Sequence, residues 1–226
     1  VKNFLTGSIF GALSLLFAAM LAMFGGLSFT VNQVGLSLLI QSLLLSFALF
    51  VVAAAAEEAM FRGYALQTLT RARFVVVAII LTAMPFGLVH TQNPDFTNIS
   101  LINTVLAGVW FGIAYLKTRD LWFPLGIHWA WNFTMGSILG LPVSGLKLVE
   151  NPVLSFDDKS PIWLGGGSYG LEGGIVTTIA ILVSMLVIWR VPFLKPTAEM
   201  LSLTNQENIS QQAKIDNYLK DNAFRE

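Results

Sequence analysis

Charge is confined to short interruptions between long apolar runs, and this alternation sets the organisation of the chain. The runs are Phe4–Phe24, Val34–Ala56, Phe74–Val89, Ile99–Leu116, Leu121–Leu141 and Gly173–Trp189. A helix of about 20 apolar residues crosses a hydrocarbon core of roughly 30 Å, so the pattern predicts an all-α, polytopic membrane helix bundle with about six transmembrane helices. The first run outlasts the apolar stretch of about 7–15 residues found in a cleaved leader, and Gly25-Gly26-Leu27-Ser28 is a poor cleavage site. A retained span is therefore expected. Gly7 and Gly11 stand four residues apart, as do Gly108 and Gly112, a spacing that lets membrane helices approach closely.

The interruptions differ in sign. Lys2 precedes the first run; Arg62, Arg71 and Arg73 follow the second, Lys117 and Arg119 the fourth, Arg190 and Lys195 the sixth. Gly25–Gln33 carries no charge and Asp95 follows the third run. Basic segments stay on the cytoplasmic side, so both termini of this integral multi-pass protein are expected there, with the cell membrane as its location. Trp122 and Trp189 fall at span ends, where interfacial aromatic belts form. Pro142–Gly170, with Asp157, Asp158, Pro161 and the Gly165-Gly166-Gly167 run, reads as a flexible outer loop. It lacks the Gly-Lys-Ser/Thr pattern of a phosphate cradle. Beyond Pro196 the composition turns polar, which divides the chain into a membrane bundle, 1–195, and a cytoplasmic tail with some helix, 196–226.

Composition narrows the class. Of 226 residues, 55% are hydrophobic and 12% charged, with a formal net charge of zero; the mean hydropathy is +0.70. These values exclude a soluble domain and fit one compact bundle. No basic run exists, so no nucleic-acid partner is expected. Cysteine is absent, which removes disulfides, thiolate metal sites and a cysteine nucleophile.

The ionisable groups inside the apolar runs carry the candidate chemistry. Glu57-Glu58-Ala59-Met60-Phe61-Arg62 closes the second run, and both histidines of the chain, His90 and His128, sit in or at the end of other runs. Such groups at membrane depth cost several kcal/mol unless paired or lining a wet cavity. If the second helix continues to Thr70 and turns at Arg71–Arg73, Glu57 precedes the turn centre at Ala72 by 15 residues and His90 follows it by 18. Their depths then differ by about 4.5 Å. His128 lies 9 residues beyond Arg119, and it levels with Glu57 once the Gly63–Arg73 end protrudes by roughly 9 Å. Glu58 and Arg62, at i and i+4, form a natural ion pair, and Glu57 is turned aside from it. His128 and Asn132 share a face at the same spacing, and Phe86 sits one turn before His90. The bland alternatives are a helix end emerging into water, a packing histidine and a helix cap. Jointly, the residues describe a polar pocket holding a carboxylate, two imidazoles and a carboxamide from three helices.

That set suits hydrolysis. A carboxylate in a low-dielectric site becomes a base able to take a proton from water near neutral pH. An imidazole facing it can hold the water or protonate a leaving amine. A second imidazole and an amide N–H can donate to the oxyanion of a tetrahedral intermediate, worth several kcal/mol when well placed. Gly-x-Ser-x-Gly is absent, so no nucleophilic-serine pattern competes strongly.

Glu57-Glu58-x-x-x-Arg62, Phe86-x-x-x-His90 and His128-x-x-x-Asn132, in that order on separate apolar helices, resemble the three motifs of the CAAX protease and bacteriocin-processing family of intramembrane proteases. The resemblance spans Glu57–Asn132. It implies an α-helical membrane endopeptidase of the type II CAAX prenyl protease kind, in which Glu57 and His90 activate water and His128 and Asn132 stabilise the oxyanion. Glu58, Arg62 and Phe86 would support the site. The implied partners are membrane lipids and a membrane-tethered peptide or protein substrate. Eukaryotic relatives trim prenylated tails, and bacterial relatives are associated with peptide or bacteriocin processing and immunity.

Two mechanisms remain open on the residue list. Glu57, His90 and His128 could supply the three protein ligands of a catalytic zinc. However, His-Glu-x-x-His is absent, each ligand comes from a different helix, and with Glu58 paired to Arg62 no second carboxylate is evident to orient either imidazole. Spending Glu57 on a metal would also leave no evident base. A glutamate-activated water without a required cofactor is expected, with zinc as the alternative. A transporter built on the same polar cluster and a non-catalytic immunity or scaffold protein are the competing functions.

Overall fold

The computed structural model describes residues 1–198 together with 200, 213, 214 and 217. Nearly all of the expected tail, 196–226, therefore lies outside the described residues. The apolar runs fold as helices. α1 covers Lys2–Gly25 and α2 covers Leu36–Glu58; α2 passes through a π-helical turn, Ala59–Ala65, into α3, Leu66–Arg71. Together α2 and α3 make a 36-residue rod, about 54 Å long, which accommodates the expected protrusion of its Arg71 end. The chain reverses after Arg71, with Arg73 in the left-handed region at φ 67°. α4 (Val75–Val89), α5 (Asn98–Thr118) and α6 (Trp122–Phe133) follow, and α6 is prolonged by a second π turn, Thr134–Ile138. A reciprocal capping box between Thr97 and Ser100 starts α5, satisfying donors that the first turn of a helix leaves open.

Among the described residues, four segments are long and apolar enough to cross a membrane: α1, the α2–α3 rod, α4 with its extension to Gln92, and α5. The fifth and sixth runs are helical but shorter. Chain reversal at Gly140, φ 72°, ends the fifth run before Leu141. Gly173 closes a short 3-10 turn, Leu171–Gly173, so the last helix, α8, starts only at Ile175 and ends at Arg190.

Pro142–Gly170 is not the flexible loop expected from its composition. Its strand β2 (Leu154–Asp158) pairs antiparallel with β1 (Leu27–Val31), Leu27 opposite Asp158, and a single-turn helix, α7, follows at Ile162–Gly165. Val143 and Tyr169 of this segment, and Leu141 and Leu171 flanking it, are buried. Its glycines serve close packing: Gly166 takes φ 90° and a Cβ there would strike the Gly170 carbonyl. The segment is thus anchored by apolar burial at both ends and by strand pairing between them.

α6 occupies the centre, packed against α1, α2 and α5. Its contact with α1 is backbone against backbone: a Cβ on Gly7 would strike the Phe123 carbonyl, on Gly11 that of Ile127, and on Gly126 that of Phe4. Gly108 likewise abuts Ala83 of α4, whereas a Cβ on Gly112 would meet only Ile79 Cγ1 at 3.7 Å. Close approach therefore explains Gly7, Gly11 and Gly108 but not Gly112. Asn3 Nδ2 donates to Asp120 Oδ2 at 2.6 Å, and Lys117 Nζ donates to the Trp189 carbonyl at 2.8 Å. Leu66, Ala78 and Tyr115 form a buried cluster beside them in the fold. These contacts gather Lys2, Arg71, Arg73, Lys117, Arg119 and Arg190 at one end of the bundle.

Replacing Gly126 by alanine is expected to destabilise the protein by about 1–3 kcal/mol, because backbone must move to admit the methyl group. Gly112→Ala is expected to be neutral or stabilising by up to about 1 kcal/mol, since it removes a helix-interior glycine without a clash. Thermal melts of the two purified variants in one detergent would separate the outcomes.

Candidate active site

The site is assembled where α2 widens into its π turn. Glu58 and Arg62 are 2% and 0% exposed. Arg62 Nη1 donates to Glu58 Oε1 at 3.0 Å, and Nη2 donates to the Gly108 carbonyl on α5 at 3.1 Å. The guanidinium carbon stands 4.5 Å from the Phe86 ring centroid and 5.1 Å from that of Phe111. The buried cation is therefore matched by a charge, a carbonyl and two aromatic rings. The expected Glu58–Arg62 pair is present.

Glu58 has a second partner. Its Oε1 also accepts from His128 Nδ1 at 3.0 Å. An ionised carboxylate has only acceptors, so His128 carries a proton on Nδ1. The imidazole of His128 stacks on Phe111 at 4.7 Å and 18° and meets Phe86 edge-on at 6.0 Å and 79°. Its other nitrogen, Nε2, is 3.7 Å from Glu57 Oε2. The sequence reading found no carboxylate to orient an imidazole because it assigned Glu58 wholly to Arg62. One oxygen instead serves both, since α6 brings His128 to the level of Glu58 from another helix.

His90 ends α4. Its Nδ1 is 2.7 Å from the Phe86 carbonyl, an acceptor that the end of a helix leaves open. Nδ1–H therefore donates. Glu57, His90, His128 and Asn132 line one cavity of about 330 Å³ together with Phe86, while Phe111, Trp110 and Trp131 contribute further walls. The Glu57 side chain is 33% exposed, yet its Oε2 is buried without a hydrogen-bond partner in the chain. The structure thus gathers all four residues expected around water and oxyanion. Glu58 and Arg62 sit behind them, and Phe86 packs against both histidines and the guanidinium.

Phe111 and Glu172 escaped the sequence reading, and Gly108 was read for helix packing alone, not as the acceptor of the Arg62 bond. Phe111 looks like any apolar residue of a span, and Glu172 lies outside the three motifs, just before α8. Among the described residues, no three His, Asp or Glu side chains are gathered as ligands of one ion. Glu57 and His128 approach each other while the Phe86 carbonyl holds His90. The three candidate zinc ligands do not form one coordination sphere, so no catalytic step is drawn through a metal. The Glu58–His128 bond is nevertheless the kind of support a metal-ligating imidazole receives, which removes one of the sequence-level grounds against zinc.

Arg62→Ala leaves Glu58 with His128 as its remaining partner, without the guanidinium, and opens a void beside two rings. Breaking a buried pair by removing one partner costs about 3–5 kcal/mol, and a loss of that size is expected in thermal or denaturant melts. Arg62→Lys is expected to restore only part of it, because an ammonium cannot reproduce the guanidinium fork and stacking surface.

A family description, Type II CAAX prenyl endopeptidase Rce1-like, matches residues 36–134. The matched stretch opens at the first residue of α2 and includes Glu57, Glu58, Arg62, Phe86, His90, His128 and Asn132. No curated protein and no solved structure matches the chain. The segment that bears this site is thus similar to the Rce1-like family of type II CAAX prenyl endopeptidases.

Proposed function

We propose that the protein is an intramembrane endopeptidase that hydrolyses a peptide bond of a membrane-tethered peptide or protein with water activated by Glu57. The observation that carries this reading is the buried, unpartnered Glu57 Oε2 facing an imidazole already fixed by Glu58. In the proposed reaction Glu57 takes one proton from water, and His90 Nε2 accepts the other water hydrogen as a hydrogen bond. The resulting hydroxide attacks the scissile carbonyl. His128 donates Nδ1–H to Glu58, and the oxyanion is met by the Asn132 amide and, in the imidazolium form, by His128 Nε2–H. On collapse, Glu57 returns its proton to the leaving amine, so that proton and charge balance.

Positioned proton transfer contributes about 10²–10⁴-fold to rate. Glu57→Gln is therefore expected to lower kcat/KM by at least about a hundredfold while keeping the parent melting temperature. Mass spectrometry of lipid-anchored peptides incubated with the purified proteins would measure it. Activity should survive exhaustive zinc chelation; loss restored by zinc alone would turn Glu57 from base into ligand. Flux of a solute in proteoliposomes without peptide cleavage would favour the transporter reading, and function surviving Glu57→Ala the non-catalytic one.

We also propose that the basic end of the bundle faces the cytoplasm, as its lysines and arginines favour. A cysteine at the exposed Ala72 should then resist an impermeant thiol reagent in intact cells. One at Lys159, 78% exposed at the opposite end beside Gly26, should react. The reverse labelling pattern would overturn the orientation.

A further inference from the structure

The cavity that holds Glu57 has a second carboxylate on its wall, Glu172, for which the hydrolysis above has no use. Its side chain is fixed by three neutral donors. Trp131 Nε1 donates to Oε1 at 2.9 Å; the Ser144 main-chain N–H and hydroxyl donate to Oε2 at 2.8 and 2.7 Å. The backbone is fixed as well, since Asn103 Nδ2 donates to the Glu172 carbonyl at 2.8 Å, and Leu171 and Gly173 on either side are buried. A carboxylate offers about four acceptor positions, so one remains for a ligand.

No cation answers this charge. Among the described residues Glu172 forms no ion pair, and the cavity lining contains neither lysine nor arginine. Its field reaches buried Tyr169, whose hydroxyl is held above the usual phenol range by burial first and by the Glu172 charge second. An immobilised, partly desolvated charge attracts a mobile opposite charge far more strongly than one in water. Its place relative to the reacting groups follows from α6, where Trp131 stands three residues beyond His128, about 4.5 Å along the helix. Extended peptide rises about 3.3 Å per residue, so a substrate group at Glu172 belongs within about three residues of the scissile bond.

We propose that Glu172 is a specificity-determining subsite that receives a cationic group of the substrate, a lysine or arginine side chain or a free terminal ammonium, close to the cleaved bond. This rests on the endopeptidase reading for its catalytic consequence, but the binding it requires does not depend on turnover. Trp131, Ser144 and Asn103 act as positioning residues that keep the carboxylate aimed.

The test uses the full chain in detergent or proteoliposomes and lipid-anchored peptides with one lysine scanned through the three residues on each side of the cut. Norleucine and Nε-acetyl-lysine serve as neutral counterparts, and N-acetylated peptides separate a side chain from a terminal ammonium. Binding is measured on the Glu57→Gln protein, in which Glu172 is the only glutamate left on the cavity wall; cleavage is measured on the parent. At one position lysine is expected to bind at least tenfold more tightly than norleucine and to lower KM more than it changes kcat. Glu172→Gln should bring the lysine-to-norleucine ratio to about 1. Should that variant fail to fold, acetylation of the same lysine on the unaltered protein must abolish the preference. Equal binding of charged and neutral peptides at every position, or a preference that survives Glu172→Gln, would overturn the subsite. Selective binding without cleavage would instead keep the subsite and sink the endopeptidase reading.

Discussion

A single carboxylate oxygen, Glu58 Oε1, ties together the helices that carry the site. Burying a carboxylate and a guanidinium costs several kcal/mol per ion, recovered only when geometry and additional hydrogen bonds are good. Here Glu58 binds Arg62 within its own helical rod and His128 on α6, while Arg62 reaches the Gly108 carbonyl on α5 and the Phe86 ring on α4. Moving any of these helices leaves a buried charge unmatched. Hydrophobic attraction does not order helices against one another inside a bilayer, so packing and polar bonds must do so. The polar cluster is therefore a condition of the fold as much as a place for chemistry.

Much of this was legible in the sequence because charge is conspicuous where apolar residues dominate. The i, i+4 spacing of Glu58 and Arg62 stated their pairing directly, and residue counts from the Arg71–Arg73 turn brought Glu57 and His90 to one level. The bond from Glu58 to His128 was not legible, because spacing along one helix says nothing about which face of another helix meets it. Gly112 showed the opposite error, a correct spacing with no close neighbour behind it. The segment from Pro142 to Gly170 was misread because its glycines and aspartates look like those of a mobile loop. In the structure the positive-φ Gly145, Gly166 and Gly170 let main chain pack against main chain.

Neither π turn was visible to a reading based on a 3.6-residue period. Both begin close to motif residues, one directly after Glu57 and Glu58, the other two residues after Asn132. π turns are found mostly inside α-helices and often at functional sites. The second also brings Gly136 against Phe50 and Ser137 Oγ to Ser46 Oγ at 2.8 Å. That bond ties α6 to α2 on the far side of the motif residues.

The brevity of α8 has a consequence for the surrounding lipid. Its 16 residues span about 24 Å against a hydrocarbon core of roughly 30 Å, and Ile179, Leu182, Val183 and Leu186 face outward. Lipid beside this helix must thin, or the helix ends must lie below the headgroups, at a fraction of a kcal/mol per Å of hydrophobic mismatch. α8 also supplies Thr177 and Ile181 to the cavity wall. Membrane thickness therefore acts on a helix that also forms one wall of the candidate site.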